Sequence, residues 1–282
     1  MYELRIENEF SEFLQLTNNP NYDVIAVDGL NPAAANINTA AVSGLDGTRF
    51  NSAQIGQRNI VITLNIKQPI EENRINLYQY FRVKHPIRIW YKNDTLSVYI
   101  DGYVESFEND FFTKLQKPQI SIICPDPFFK SNTETILDFD TVASLFEFPF
   151  DIEEEGIPFS ELSEVTTTYF NAGNVETGVV ITFTATANGV KNPTFYNHKN
   201  NTFIGVDVTM QASDVITIDT RLGKKSIKLK RGAAVTSLLN NRLSGSSWVV
   251  LEPGVNQISY SADEGQSSLL VSVQNVQQFE GV

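Results

Sequence analysis

The sequence predicts a mainly β protein in two parts. An N-terminal β-sandwich-like domain with one α-helix and an extended arm precedes a C-terminal β-sandwich or jelly roll. Three observations carry this. Asn59–Lys67 alternates Ile60, Ile62, Leu64 and Ile66 with polar or small residues, the period of a half-buried strand. Only one stretch, 70–83, combines helical spacing with a start signal: Pro69 opens it and Glu71 and Glu72 suit the dipole of its first turn. From 166 onward, strand patterns are broken by turn residues roughly every 8–12 positions, as in all-β sandwiches.

The elements follow in order. Tyr2–Ile6 and Tyr22–Val27 predict short strands, with turn chemistry at Asn18-Asn19-Pro20-Asn21 between them. Residues 29–58 are rich in Gly, Ala, Asn and Ser and contain Asp46-Gly47, a favoured hairpin turn pair. With few large apolar residues they bury little, so they form either an arm ordered by a neighbouring subunit or a mobile surface loop. The candidate arm residues are Gly44, Gly47, Arg49 and Phe50. In the helix, Ile75, Leu77, Tyr78 and Phe81 form a stripe expected to pack into the core. Ile87–Tyr91, Ser97–Phe107 and Gln119–Ile123 complete the first domain. Cys124-Pro125-Asp126-Pro127-Phe128-Phe129 then stops the last strand, because two prolines remove two backbone donors. The second domain is expected to use Val179–Thr186, Thr194–Asn197, Phe203–Met210, Val215–Asp219, Ser226–Lys230, Trp248–Leu251, Gln257–Ser261 and Leu269–Gln274. The resulting division is 1–130, an acidic linker and start of the second domain over 131–165, and 166–282.

Charge sharpens that division. Residues 131–165 hold ten acids and no base, whereas the flanking parts are close to neutral, against a total of −12. No basic footprint for specific nucleic-acid binding is present. No apolar run is long enough to predict a membrane-spanning helix. The N-terminus lacks the features of a signal peptide, and a single cysteine makes no internal disulfide; both fit synthesis in a reducing cytoplasm. The Asn-x-Thr sites at Asn93 and Asn200 then carry no sugar.

Few residues point to chemistry. His85 and His198 have no metal-ligand companions in sequence, and no nucleophile elbow or nucleotide-binding glycine pattern occurs. Cys124, at the end of an apolar strand, reads as a buried inert thiol. Paired carboxylates for glycoside hydrolysis, or a calcium loop, find no supporting spacing among the acids. The expectation is therefore no enzyme, no cofactor and no metal. The Lys224, Lys225, Lys228, Lys230, Arg231 run lines either the wet face of a strand or a contact with an acidic partner, the 131–165 segment included. Trp248 is a core strand residue or a sugar-stacking platform. The latter would make the chain a carbohydrate-binding module or adhesin, the alternative functional reading.

In order and spacing, several short motifs resemble the distal tail proteins of siphophages. They are the Arg58–Ile66 strand with its helix, the Cys124–Phe129 junction, Phe148-Pro149-Phe150, Gly156-Ile157-Pro158-Phe159-Ser160, Asn171-Ala172-Gly173-Asn174, Asn192-Pro193 and Glu252-Pro253-Gly254-Val255-Asn256. The resemblance implies a virion structural protein at the distal tail tip, with a galectin-like C-terminal sandwich. It also implies a hexameric ring whose N-terminal domains clasp one another by arms. The implied partners are the tail tube protein, the tail-associated lysin or hub, and receptor-binding or baseplate proteins. Neither specific nucleic-acid binding nor membrane insertion is implied, and DNA would pass through the ring's lumen.

Overall fold

The structure is a computed structural model that describes residues 2–44, 46–112, 115–139 and 165–282. The Phe148–Phe150 and Gly156–Ser160 stretches, and most of the acidic segment, lie outside the described residues. The chain forms two compact units, Met1–Asn132 with Gln278–Val282, and Thr133–Gln277. It therefore passes from one unit to the other twice, and residues 278–282 belong with the first.

The first unit contains β1 (Glu3–Glu7), β2 (Phe13–Gln15), β3 (Tyr22–Asp28), β4 (Ala35–Ala41), β5 (Thr48–Ile55), β6 (Arg58–Ile66), α1 (Ile70–Tyr80), β7 (Pro86–Lys92), β8 (Ser97–Glu108), β9 (Gln119–Cys124) and the start of β10 (Phe129–Phe139). Antiparallel pairing runs β2–β1–β7–β8–β9–β6–β3. β8 is the corner strand. Its first half pairs with β7 and its second with β9, and the register shifts between Val104 and Ser106. Such a bulge bends a strand and raises its twist. The alternation of β6 places Ile60, Ile62, Leu64 and Ile66 in the core, where Ile120, Ile122 and Cys124 of β9 meet them.

The helix departs from the expected stripe. It ends at Tyr80, not at 83, and its buried face is Asn73 and Leu77, continued by Phe81 just beyond the end. Ile75 and Tyr78 face solvent, 54% and 37% exposed. Asn73 takes a core position because its polar groups are satisfied there: Nδ2 donates to the Lys67 carbonyl at 3.0 Å, and its own carbonyl accepts the Tyr22 hydroxyl at 2.9 Å. With this polar residue paired inside, Leu77 and Phe81 of the expected stripe keep their core positions while Ile75 and Tyr78 are left outside.

The second unit contains β11 (Val165–Asn171), β12 (Thr177–Gly178), β13 (Val180–Ala185), β14 (Val190–Lys191), β15 (Thr194–Asn197), β16 (Thr202–Gly205), β17 (Thr209–Met210), β18 (Val215–Asp219), β19 (Ser226–Arg231), β20 (Ala234–Ser237), β21 (Val250–Leu251), β22 (Gly254–Ser261) and β23 (Leu269–Phe279), whose end returns to the first unit. One sheet runs β23–β13–β18–β19–β20, the other β11–β22–β15–β16. Ile181, Phe183, Ile216, Ile218, Val271 and Val273 from the first sheet share one core with Phe195, Ile204, Ile258 and Tyr260 from the second. This is a two-layer antiparallel sandwich.

Two expected strands differ. Phe203–Met210 breaks at 206–208, because the Val206 and Asp207 amides leave the ladder for the Pro193 and Asn241 carbonyls. In Trp248–Leu251 only Val250–Leu251 is strand, and Val249 and Leu251 point into the core, opposite to the expected parity. Two asparagines of the turn motifs, Asn171 and Asn256, are buried plugs. Asn256 closes the Glu252–Gly254 turn through both its amide nitrogen and its oxygen, and Asn171 bridges to the Val175 and Leu251 carbonyls.

Candidate functional site: an exposed hairpin and its root

β4 and β5 form a hairpin paired from Ala35↔Ile55 to Ala41↔Thr48, with one register shift at Asn38/Thr39. Both faces are wet: every residue from Ala35 to Ala41 and from Thr48 to Gln54 is exposed, including Ile37 at 65% and Phe50 at 61%. Gly44 and Gly47 sit at the tip with φ of +80° and +93°, and nothing lies within 4 Å of where a side chain would begin. Glycine is used there for backbone freedom. Gly44, Gly47, Arg49 and Phe50 thus fall within one hairpin, Arg49 and Phe50 facing Ala40 and Thr39 across the ladder.

The root is the opposite environment. Arg58, which opens β6, is 3% exposed. Its Nη1 donates to the Gly29 and Asn31 carbonyls at 2.5 and 2.6 Å, its Nε to the Pro127 carbonyl at 2.7 Å, and its Nη2 to the Glu280 carbonyl. The guanidinium lies 4.8 Å from the centre of the Phe129 ring. These four acceptors are main-chain carbonyls on three separate stretches. Arginine suits the task because its planar fork presents several donors in fixed directions. Burial pulls the guanidinium below its ordinary pKa. Gly29, at φ +87°, is packed so tightly that a Cβ would lie 2.2 Å from the Asn59 carbonyl oxygen. The Val282 amide donates to the Leu30 carbonyl at 3.2 Å, which binds the 278–282 segment to the same loop.

The Cys124–Phe129 junction is therefore one wall of this root. Pro127 supplies a carbonyl, and Phe129 a buried ring. Asp126 accepts from the Phe128 amide and pairs with Lys130 at 2.8 Å. Cys124 pairs with Arg58 across the ladder and is fully buried. Desolvation pushes its thiol up to about 12, against a smaller opposing pull from Arg58, so it stays a neutral thiol. Sequence reasoning picked out the junction but gave Arg58 no such role. Its partners lie 27 to 222 residues away, beyond any local pattern.

The remaining candidates gather no reactive constellation. An open cleft of about 500 Å³ holds Glu7, Glu9, Asp101 and Asp126. Each is already engaged: Glu9 by Arg82 and His85, Asp101 by Arg88, Asp126 by Lys130, and Glu7 by the Trp90 indole. His198 Nε2 lies 2.7 Å from Ser259 Oγ, but Ser259 is 0% exposed. Among the described residues no group of three His, Cys, Asp or Glu stands ready for a metal, and no helix is long and apolar enough to cross a membrane. Trp248 is half-buried against the second core, with Lys225 Nζ and Arg242 Cζ 5.6 and 5.3 Å from its ring centre. A sugar stacking on that ring would compete with those cations.

Two family models match the chain. Residues 11–124 match the phage tail protein RIFT-related domain, and residues 172–274 match the C-terminal domain of the siphovirus-type tail component. No curated protein matches the chain in sequence. Among solved structures, the crystal structure of the Dit protein of phage SPP1, described as a paradigm of the hub adsorption apparatus in phages infecting Gram-positive bacteria, aligns over 98% of this chain and 99% of its own. The TM-score is 0.68 at 13% identity. A chain of the phage P2 baseplate in its activated, calcium-bound conformation aligns over 100% of both chains, with a TM-score of 0.54 and 11% identity. The two models lie on either side of the acidic segment and together take up more than half of the chain: it belongs to the siphophage distal tail protein family, components of the phage tail.

Proposed function

We propose that copies of this chain close into a hexameric ring at the distal tip of the tail. The ring joins the tail tube to the hub or tail-associated lysin and to the host-adsorption apparatus, and leaves a lumen for DNA. Its role is structural rather than enzymatic, and the chain is made in the host cytoplasm. One observation carries the reading: the β4–β5 hairpin exposes both faces, with Ile37 and Phe50 in solvent. A two-stranded ribbon without a packed face is marginal alone, so a neighbouring subunit is the natural source of its missing burial. A head-to-tail contact repeated around an axis closes a ring. The first 130 residues balance 12 Lys and Arg with 15 Asp and Glu, and a net charge of −3 suits a lumen through which DNA slides without being held.

The test is the mass of the purified particle by light scattering, with images of the same peak. Six chains of 31.6 kDa give about 190 kDa. Deleting residues 40–52 is expected to leave both units folded and to abolish the ring. A deletion variant that still forms the full ring overturns the arm's role, and a wild-type chain that stays monomeric on tail tubes overturns the ring itself.

A further inference from the structure

Among the described residues, the second unit ends one of its sheets in an open edge. β20, Ala234–Ser237, is the last strand of its sheet, and all four residues are exposed. Edge strands in soluble proteins are usually protected by charge, proline or a bulge. Ala-Val-Thr-Ser has no charge or proline, and its pairing with β19 is regular from Arg231↔Ala234 to Lys228↔Ser237. Arg231 and Ala234 flank a two-residue turn, so antiparallel alternation directs the N–H and C=O of Ala234 and Thr236 towards β19. Those of Val235 and Ser237 then point away from it.

The surroundings of this edge have a distinct chemistry. From Thr220 to Leu251 the sequence holds seven Lys and Arg and no acid, in a chain of net charge −12. Arg221 and Arg231 are engaged by Asp219 and Asp214. Lys228 and Lys230 are exposed on alternate positions of β19, and no ion pair holds either among the described residues. They share a face with Ser237 and Val235, their cross-strand partners. Apolar surface lies close in sequence: Val235 is 64%, Leu239 42% and Leu222 92% exposed.

We propose that this edge receives an extended acidic segment of a partner protein by strand addition. The outward groups of Val235 and Ser237 supply main-chain hydrogen bonds, and every second side chain of the added strand, acidic, faces the Lys228/Lys230 row. A polyanion such as nucleic acid would use the lysines but leave the backbone edge unused, so a peptide fits more of what is present.

The experiment uses the full chain and a fluorescent synthetic peptide, acetyl-Thr-Val-Glu-Val-Glu-Val-Glu-Thr-amide. The same peptide with Lys for Glu, and a short oligothymidylate, serve as comparisons. Saturable binding of the acidic peptide is expected, with slowed hydrogen exchange at the Val235 and Ser237 amides and unchanged exchange at Ala234 and Thr236. Lys228→Glu with Lys230→Glu is expected to weaken binding about tenfold or more. Val235→Pro removes an outward donor without touching the β19 ladder and is expected to abolish binding, whereas Val235→Thr retains it to within about threefold. Thermal midpoints of the variants separate loss of binding from loss of fold. Absence of saturable binding, binding indifferent to both the lysine reversals and the proline, or preference for the oligothymidylate each overturns the proposal.

Discussion

The hairpin and its root are contiguous in sequence and opposite in physics. From Ala35 to Gln54 the hairpin strands contribute nothing to a core, and their hydrogen bonds are to each other. Immediately after them, Arg58 buries a charged group and turns its donors onto the loop before the hairpin, the proline junction and the segment at Glu280. A projecting element that gains its burial from outside must leave its own unit in a defined direction. The root supplies that definition with directional hydrogen bonds, which a nonspecific apolar contact cannot do.

The largest way to break this comparison is Arg58→Met. It keeps much of the volume but leaves four carbonyls without their donor, and should destabilise the first unit by about 3–5 kcal/mol in denaturant titrations. Arg58→Lys should recover only part, because one ammonium cannot reach three stretches at once. If Arg58→Met costs less than 1 kcal/mol, the root is held by packing alone. Next, the helix offers a paired control: Leu77→Ala should cost about 2–4 kcal/mol, and Ile75→Ala less than about 0.5. Equal effects would restore the outward stripe to the core. In the second unit, Arg231 hydrogen-bonds Asp214 and holds its carboxyl below the usual range. That stabilisation is present above the unfolded carboxylate pKa of about 4 and is lost as pH falls through the lowered folded value. Asp214→Asn should therefore lose stability at neutral pH and show a flatter acid limb; an unchanged acid limb refutes the assignment. The smallest effect on stability belongs to the hairpin. Phe50→Ser should shift the unfolding midpoint of the isolated chain by no more than a surface substitution, within about 0.5 kcal/mol. It should nonetheless weaken assembly on a sizing column.

Legibility followed the range of the interactions. Strands whose one face is buried announced themselves by alternation, as at Ile60–Ile66, Val179–Ala185 and Leu269–Val273, all of which point inward as their period predicts. The helix was legible in place and, at Leu77 and Phe81, in its inward residues, but not at Ile75 and Tyr78. Ile75 and Tyr78 form a plausible apolar face, and nothing local reveals that Asn73 has partners at Lys67 and Tyr22. The hairpin was legible only through its turn residues, because strands without a buried face leave no periodic signal. Trp248 packs against the core as one of its two readings has it, but Val249 and Leu251, not Val250, take the buried positions beside it. Arg58 was visible in sequence but its role was not, since that role exists only once residues 29, 31, 127 and 280 have been brought together.

The two crossings between units give the chain the grammar of a parenthesis. The second unit opens after Asn132 and closes before Gln278, and the sentence it interrupts resumes with the segment that Arg58 holds. Recombination that exchanges the second unit for another thus needs two breakpoints, not one. A hybrid gene joined at only the first would inherit a foreign residue 280 at the root of its own hairpin. Genes of this design should trade the second unit as an insertion while keeping both margins of the first.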